Sequence, residues 1–406
     1  MIYSFILKFS VIFFFFLSSS LYSEEVSTIT ITPQAYSKII VRIPTIEGDA
    51  KDEMTSFLRT ILNYHLFCLA LKEPPLPGQK NKEFLVRGHL EAKNKGYSFK
   101  GEILDLFENK VLKTYFIEAT NSHLLIYALA NQIIEAISPY KGLSFTRLAF
   151  VKRSSSSDTL YVMDFSKKNL KAIGTANLIL FPKFSPSGRK IAYISYDRRD
   201  YNLLIYDLVT EETKKFHLPE VSSPPLFSSN EKIIYLSVGK QSDVNIYQLN
   251  LEDGSIKPIT TDKGIQQVAD LSPDEKFLAY VGDRSGKPQV YLLNLETGKT
   301  QRISYEGSYN TSPRFSPKKP VLMYLSGKRE LIFVNLKTQE RKRVSLPIEI
   351  TDPTFSPTGD YLIFKGKEKK EKGIFLLHLD SLLLHSYLPF SNLYYPEWGE
   401  LWGKFN

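Results

Sequence analysis

The chain has 406 residues, 43% of them hydrophobic, and its 52 Lys and Arg against 43 Asp and Glu give a net charge of +9. The basic residues are scattered along the chain, which argues against a nucleic-acid-binding protein and leaves open a weak attraction to anionic lipid surfaces. The single Cys68 excludes an intramolecular disulfide, and its apolar neighbours predict a buried, inert thiol.

The first 23 residues have the composition of a secretory signal peptide. An apolar core from Phe9 to Leu17 follows Lys8 and precedes a serine-rich stretch, as in signal peptides. We expect cleavage near Ser23. An uncleaved anchor is the alternative, but the core is shorter than the about 20 apolar residues that span a bilayer. No second long apolar run follows, so we expect a soluble protein exported to the periplasm.

Residues 24–141 mix strand and helix patterns and predict a small α/β domain. Apolar residues recur at helical spacing from Met54 to Leu62 and from Leu125 to Ile137. A proline-rich stretch, Pro74 to Gly78, predicts a loop. Runs rich in β-branched and aromatic residues predict strands at 27–32, 38–42, 84–88, 97–107 and 111–117.

A repeat with the core Pro-x-apolar-Ser-Pro, whole or degenerate, dominates residues 142–406. Each core is followed by a turn, a β-rich strand, a polar turn and a third strand, and hairpin glycines precede a more polar fourth strand. An interval of 40 to 44 residues between cores is the length of a propeller blade. The central apolar residues are Phe184, Phe227, Leu271, Phe315, Phe355 and Trp398.

The two ends of the repeat region complete each other. The first unit, which begins at Thr146, has no core before it, and the segment around Trp398 is a core with no unit after it. Pairing both in one blade closes the ring and removes an open sheet edge. The predicted fold is therefore a small N-terminal α/β domain followed by an all-β, six-bladed β-propeller, closed by pairing of the C-terminal strand with the first blade.

No catalytic or metal-binding motif is found in the sequence. There is no Gly-x-Ser-x-Gly, no His-Glu-x-x-His, no phosphate-binding glycine loop and no cysteine pair. The histidines lack metal-ligand spacing, and each is interpreted as a surface or satisfied core residue. Asp197 to Asp200 and Asp283 to Gly286 have too few ligands for a Ca²⁺ loop and predict turns. We predict no enzymatic activity, no cofactor and no metal.

Binding is therefore expected at the ends of the propeller, where its loops gather. If the first strand of each blade lines the channel, the segments immediately before those strands encircle one mouth. Their amide, hydroxyl and tyrosine groups suit a polar partner loop, and the alternative is that they only solvate the channel. We expect Asn310 and Thr311 to be rim positions. The predicted mouth residues are Ser222, Ser223, Gln266, Gln267, Tyr309, Asn310, Thr311, Ser312, Thr351, Asp352, Tyr394 and Tyr395.

One stretch of the repeat region resembles a known family. Gly286-Lys-Pro-Gln-Val-Tyr291, followed by Gln301-Arg-Ile-Ser-Tyr-Glu-Gly-Ser308, is similar to the passage between the fourth and fifth blades of the TolB family. The resemblance extends over nearly the whole exported chain, including the domain order. Lys318-Lys319 replaces the usual Asp-Gly, and Val221-Ser222-Ser223 stands where family members often have His and Asn. These departures concern partner contacts rather than the fold.

The resemblance implies a non-enzymatic, monomeric scaffold of a Tol-Pal-like envelope system, peripheral to membranes, which supports outer-membrane integrity and constriction during cell division. It also implies that a peptidoglycan-associated lipoprotein binds at the propeller mouth. An inner-membrane Tol protein would bind the mature N-terminus, a segment that docks on its own body or is offered to the partner. That segment contains Glu24, Glu25, Val26, Ile29 and Ile31, and its alternating isoleucines suit addition to a sheet edge.

Two alternatives of other classes remain. A stand-alone propeller of this type would bind peptidoglycan or another envelope ligand, with Tyr309, Tyr394 and Tyr395 stacking on sugar rings. An accessory domain of a serine peptidase would need a hydrolase domain of about 200 residues, for which the sequence holds no nucleophile motif.

Overall fold

The structure is a computed structural model that describes residues 27–30, 38–73, 83–197, 200–240, 242–368 and 371–400. Three predicted features lie outside the described residues: the signal peptide, the N-terminal residues Glu24, Glu25, Val26 and Ile31, and the loop from Pro74 to Gly78. Neither helix in the described part is long and apolar enough to cross a membrane.

A five-stranded sheet and two helices make up the first part of the chain. The sheet order is β3-β2-β4-β5-β6, with β2 parallel to β3 and β4 and the last three strands antiparallel. β1 lies outside this sheet. The elements are β1 (Ser27–Thr30), β2 (Ile39–Arg42), α1 (Glu53–Tyr64), β3 (Cys68–Leu71), β4 (Glu83–Lys93), β5 (Gly96–Asp105), β6 (Lys110–Ala119) and α2 (Ser122–Ile137).

These elements confirm both predicted helices and the predicted strands, while β3 was not predicted. The apolar stripe of α1 buries Leu58, Ile61 and Leu62 completely. α2 begins where the side chain of Asn121 accepts a hydrogen bond from the Leu124 N–H at 3.0 Å, which satisfies one of the free donors of the first turn. Cys68 is buried as predicted, and burial raises the pKa of its thiol to about 12, so it is inert.

The rest of the described chain is built of strands. They are β7 (Thr146–Arg153), β8 (Asp158–Asp164), β9 (Lys171–Ala176), β10 (Leu178–Phe184), β11 (Lys190–Asp197), β12 (Asp200–Asp207), β13 (Thr213–Leu218), β14 (Leu226–Phe227), β15 (Ile233–Lys240), β16 (Asp243–Asn250), β17 (Ile256–Pro258), β18 (Gly264–Leu271), β19 (Phe277–Gly282), β20 (Gln289–Asn294), β21 (Thr300–Arg302), β22 (Asn310–Phe315), β23 (Val321–Ser326), β24 (Glu330–Asn335), β25 (Arg341–Ser345), β26 (Glu349–Phe355), β27 (Tyr361–Glu368), β28 (Glu371–His378), β29 (Leu384–Leu388) and β30 (Leu393–Glu400).

These strands form the sheets of an all-β propeller. Three sheets have the orders β10-β11-β12-β13, β26-β27-β28-β29 and β30-β7-β8-β9. A fourth has the order β1-β25-β24-β23-β22, so that β1 is added in parallel to the outer strand β25. The strands from β14 to β21 are joined into one sheet by a short parallel pairing of β16 with β18. β30 pairs antiparallel with β7, and Trp398 lies opposite Leu148.

A seam of aromatic side chains joins the N-terminal domain to the propeller. The ring of Phe165 stacks on Tyr387 with centroids 5.9 Å apart and on Trp398 at 5.8 Å. His65 lies 5.6 Å from the same ring and is fully buried, and neither of its ring nitrogens has a partner among the described residues. The expectation of a surface or satisfied core histidine is therefore wrong for His65, because the seam surrounds it with aromatic rings.

Candidate functional site

A cavity of about 210 Å³ lies where the innermost strands of the propeller meet. Its wall is built by one segment from each of β10, β18, β22, β26 and β30, by the segment that precedes β14 and by Val281 of β19. The expectation that first strands line the channel therefore fits this cavity. Of the predicted mouth residues, those in the wall are Ser222, Gln267, Thr311, Ser312, Asp352 and Tyr395.

The other predicted mouth residues lie elsewhere. Ser223 is buried and its Oγ accepts a hydrogen bond from the Ser237 N–H at 2.7 Å. Gln266 is buried beside the cavity, Tyr309 is exposed, and Thr351 and Tyr394 line a separate groove.

The prediction that Asn310 is a rim position is wrong, because its side chain is completely buried. Its Nδ2 donates hydrogen bonds to Gln289 Oε1 at 2.9 Å and to the Glu306 carbonyl at 2.6 Å. The amide thus ties the chain before β22 to the start of β20. Its role is structural, whereas the adjacent Thr311 lies in the cavity wall.

The mouth residues also differ in secondary structure from the prediction. Only Ser222, Ser223 and Tyr309 precede a first strand, and the others lie inside the strands. β10, β18, β22, β26 and β30 each contain an irregularity in their pairing with the next strand of the sheet. The register shifts at Leu180/Lys183, Val268/Asp270, Thr311/Arg314, Thr351/Thr354 and Tyr394/Glu397.

Four of these irregularities place a residue other than glycine in the left-handed region directly before a proline. Phe181, Ser312, Asp352 and Tyr395 have φ angles between 50° and 54°. Such angles are uncommon for residues with a Cβ, and a following proline restricts the backbone further. All four residues line the cavity. Strained backbone of this kind concentrates at functional sites, where the surrounding structure holds it in place.

Charged residues that were not predicted lie at the base of the cavity wall. Lys183 Nζ donates to Glu397 Oε2 at 2.7 Å, and Thr354 Oγ1 donates to the same oxygen at 3.1 Å. Burial, followed by the charge of Arg314, lowers the pKa of Lys183, and Glu397 and Asp270 oppose that shift. These side chains all occupy the x position of the repeat core, so a charged x residue in a buried strand was the signal that would have found them.

Several polar groups of the wall are left without a partner. Arg314 Nη1 donates to the Ala269 carbonyl, but Arg314 Nε and Ser222 Oγ are buried and have no hydrogen-bond partner within the described ranges. Burial raises the pKa of Asp352, against the effects of Thr351 and the nearby cations. A confined wall with free donors and acceptors suits the capture of a polar peptide segment, because buried polar groups require partners.

The described residues contain no group of three or more His, Cys, Asp or Glu side chains placed to hold a metal ion. The wall of the cavity likewise contains no histidine or cysteine.

The N-terminal segment enters the structure as β1. Its register on β25 places Ser27 opposite Lys342 and Ile29 opposite Val344. The strand predicted to suit addition to a sheet edge thus pairs with an outer edge of the propeller, as a fifth strand of that sheet.

These features define a β-propeller with a small N-terminal domain and a polar cavity at the meeting point of its inner strands. Residues 134–401 match the family model described as the TolB beta propeller domain. The chain belongs to the TolB β-propeller family.

Relatives and solved structures agree with this assignment. The Tol-Pal system protein TolB of Francisella tularensis subsp. tularensis (strain FSC 198) is 23% identical over 385 residues, which are 87% of this chain and 88% of that protein. The protein of the same name from Ruthia magnifica subsp. Calyptogena magnifica is 28% identical over 194 residues, 45% of this chain and 46% of that protein. The crystal structure of TolB from Acinetobacter baumannii superposes with a TM-score of 0.79 at 20% identity and covers 89% of this chain and 96% of that one.

Proposed function

We propose that this protein is a non-enzymatic binding scaffold of a Tol-Pal-like system in the periplasm, where it supports outer-membrane integrity and constriction during cell division. It binds a peptidoglycan-associated lipoprotein at the mouth cavity and an inner-membrane Tol protein through its N-terminal segment. The observation that carries the proposal is the cavity itself, walled by strained strand irregularities and unpartnered polar groups. The names of the relatives, Tol-Pal system protein TolB, support the choice of system.

The architecture that belongs to this proposal has three parts: a signal peptide at 1–23, an α/β domain at 24–141 and a six-bladed propeller at 142–406. Six blades are supported by the strands, because β10 to β29 fall into five successive groups of four and β7, β8, β9 and β30 make up a sixth. The pairing of β30 with β7 supports closure of the ring by the C-terminal strand. The boundary near residue 141 falls between the end of α2 at Ile137 and the start of β7 at Thr146.

Recognition at the mouth rests on hydrogen bonds that only a partner can complete. Arg314 Nε and Ser222 Oγ are buried without a protein partner in the described part of the chain, and Thr311 lines the same cavity. Leaving such a group unpaired costs about 1–3 kcal/mol, so a polar loop that supplies partners gains that stabilisation on binding. The rigid sheet scaffold keeps the groups in position, which lowers the entropic cost of association.

The N-terminal segment acts in this proposal as an exchangeable strand. When paired with β25 it is held by main-chain hydrogen bonds on the protein's own edge, and when released it is available for strand addition to a partner. The ratio of the two states is set by the affinity of each partner. Deletion of residues 24–33 is expected to abolish binding of the inner-membrane Tol protein, measured by calorimetry. If the deletion left the affinity for both partners unchanged, the proposal of an exchangeable strand would be wrong.

Peptidoglycan binding by the tyrosines is less well supported. The ring of Tyr394 lies 4.3 Å from the Arg153 guanidinium and 2.9 Å from Lys365 Nζ, so two cations already cover it. Tyr395 packs edge-on against Phe181 at 5.1 Å. Of these three tyrosines, only Tyr309 is exposed.

The mouth is tested with the variant Ser222→Ala/Thr311→Ala and the lipid-free peptidoglycan-associated lipoprotein encoded in the same genome. We expect its affinity by calorimetry to fall about tenfold or more, which corresponds to about 1.4 kcal/mol for the lost hydrogen bonds. Thr213→Ala, on the exposed edge strand β13, is the matched control and is expected to bind as wild type. If the correctly folded double variant bound the lipoprotein with wild-type affinity, the lipoprotein would have to bind elsewhere on the protein.

A further inference from the structure

A second groove, of about 490 Å³, opens directly beside the mouth cavity. The two share their walls, because neighbouring residues of the same strands face one or the other. Thr351 borders the groove and Asp352 the cavity, and in the same way Tyr394 borders the groove and Tyr395 the cavity. A peptide that leaves the cavity between β26 and β30 therefore enters this groove.

The groove is strongly basic. Lys328, Lys365, Lys367 and Lys372 line it, against the single carboxylate of Glu349. Lys367 lies directly opposite Lys372 in the pairing of β27 with β28. Like charges at such cross-strand positions destabilise a sheet, so their presence side by side has a structural cost.

Within the described residues, this positive charge is only partly paired. Glu349 lies opposite Lys367 in the sheet, but its ion-pair distances are 3.9 Å to Lys328 and 4.0 Å to Arg329. No ion pair of Lys365, Lys367 or Lys372 occurs among the residues that the structure describes. Lys367 and Lys372 thus have no carboxylate partner in the described part of the chain, which leaves them available to a ligand.

We propose that this lysine groove binds the carboxylates of an acidic peptide segment, which continues from the partner loop held in the mouth cavity. The inference rests on the proposed function, since it extends the same binding site over the rim. Continuity of the two walls sets the path, and the row of lysine ammonium groups selects Asp and Glu side chains along it. Ser391 and Asn392 line the same groove and offer hydrogen bonds to the peptide backbone.

The first test uses a fluorescein-labelled peptide of ten glutamates and the whole exported chain, with binding followed by anisotropy at low salt. Lys367→Gln/Lys372→Gln is expected to weaken binding about threefold to tenfold and to flatten its salt dependence, since two exposed ion pairs are lost. Lys215→Gln/Lys257→Gln, on the outer strands β13 and β17, removes the same charge and is expected to bind as wild type. If both double variants lost the same affinity for the peptide, or if neither lost any, the proposal that the groove binds carboxylates would be wrong.

A second set of measurements separates the groove from the proposed function and from a lipid site. If the lipoprotein binds wild type and Lys367→Gln/Lys372→Gln equally while the glutamate peptide does not bind, the groove is rejected and the mouth proposal stands. If the lipoprotein fails to bind but the peptide binds in a Lys367- and Lys372-dependent way, the carboxylate groove stands and the mouth proposal fails. Vesicles of anionic lipid that bind through these lysines, with no peptide binding, would reject the proposal in favour of a membrane surface.

Discussion

The aromatic seam and the mouth cavity both bury polar atoms that have no hydrogen-bond partner among the described residues, but they do so in opposite surroundings. At the seam, His65 is enclosed by the rings of Phe67, Phe165 and Tyr361. At the mouth, Arg314 Nε and Ser222 Oγ border a cavity among other polar groups. An unpartnered group sealed in by aromatic rings affects stability, whereas one that faces a cavity is available to a ligand.

Backbone conformation separates the two regions in the same way. The mouth holds four of the residues with positive φ angles, at successive inner strands, and the seam residues Phe165, Tyr361 and Tyr387 have none. The four mouth residues each combine a positive φ with a following proline, and the packing of the seam is what holds the N-terminal domain against the propeller.

The largest expected effect is at the seam. Phe165→Ala removes a ring that stacks on both Tyr387 and Trp398, and we expect the free energy of unfolding to fall by about 3–5 kcal/mol. Urea denaturation measures this loss. In the fraction that stays folded, affinity for the lipoprotein is expected to be unchanged, and a parallel loss of affinity would show that the two regions are coupled.

The repeat core made the positions of the inner strands predictable, but it did not predict which of their side chains line the cavity. The Pro-x-apolar-Ser-Pro spacing located each inner strand and the strand that follows it, because turn chemistry and β-propensity are local. The irregularity before each proline is set by pairing with the next strand, so alternation along one strand did not reveal it. Lys183, Arg314 and Glu397 were missed for that reason.

Two other features were not predicted because they depend on contacts between residues that are far apart in the sequence. The strand β3 has only four residues and forms by pairing with β2. Burial of Asn310 depends on Gln289, 21 residues away in sequence, which no local pattern indicates. The helices of the first domain were predictable because their apolar stripes are long and periodic.

An intermediate effect is expected from pH at the seam. Burial, followed by the charge of His378, lowers the pKa of His65 to about 3, and burial lowers that of His378 to about 4. Both histidines are therefore neutral in the folded protein, and below pH about 6.5 they take up protons on unfolding. Because the unfolded state then binds more protons than the folded state, the free energy of unfolding decreases as the pH falls below that value.

His65→Leu isolates this contribution. Between pH 6 and 5, above the range of most carboxylates, the slope of stability against pH is expected to decrease by about 1 kcal/mol per pH unit, because one proton fewer is taken up on unfolding. Urea denaturation at several pH values measures the slope. The Ser222→Ala/Thr311→Ala variant of the mouth serves as the control and is expected to keep the wild-type slope; an unaltered slope in His65→Leu would show that the imidazole is protonated in the folded state.

The smallest change in stability is expected at the mouth, for Thr311→Ala, and its neighbour Asn310 provides the comparison. Asn310→Ala leaves Gln289 Oε1 and the Glu306 carbonyl without their amide donor, and we expect a loss of about 1–2 kcal/mol in stability. Thr311→Ala, one residue along and in the cavity wall, is expected to change stability by less than about 0.5 kcal/mol while lowering affinity for the lipoprotein. Thermal unfolding and calorimetry on the two single variants give both quantities. If Asn310→Ala instead lowered affinity without lowering the melting temperature, its amide would belong to the binding surface, and the division between supporting and binding residues at β22 would have to be redrawn.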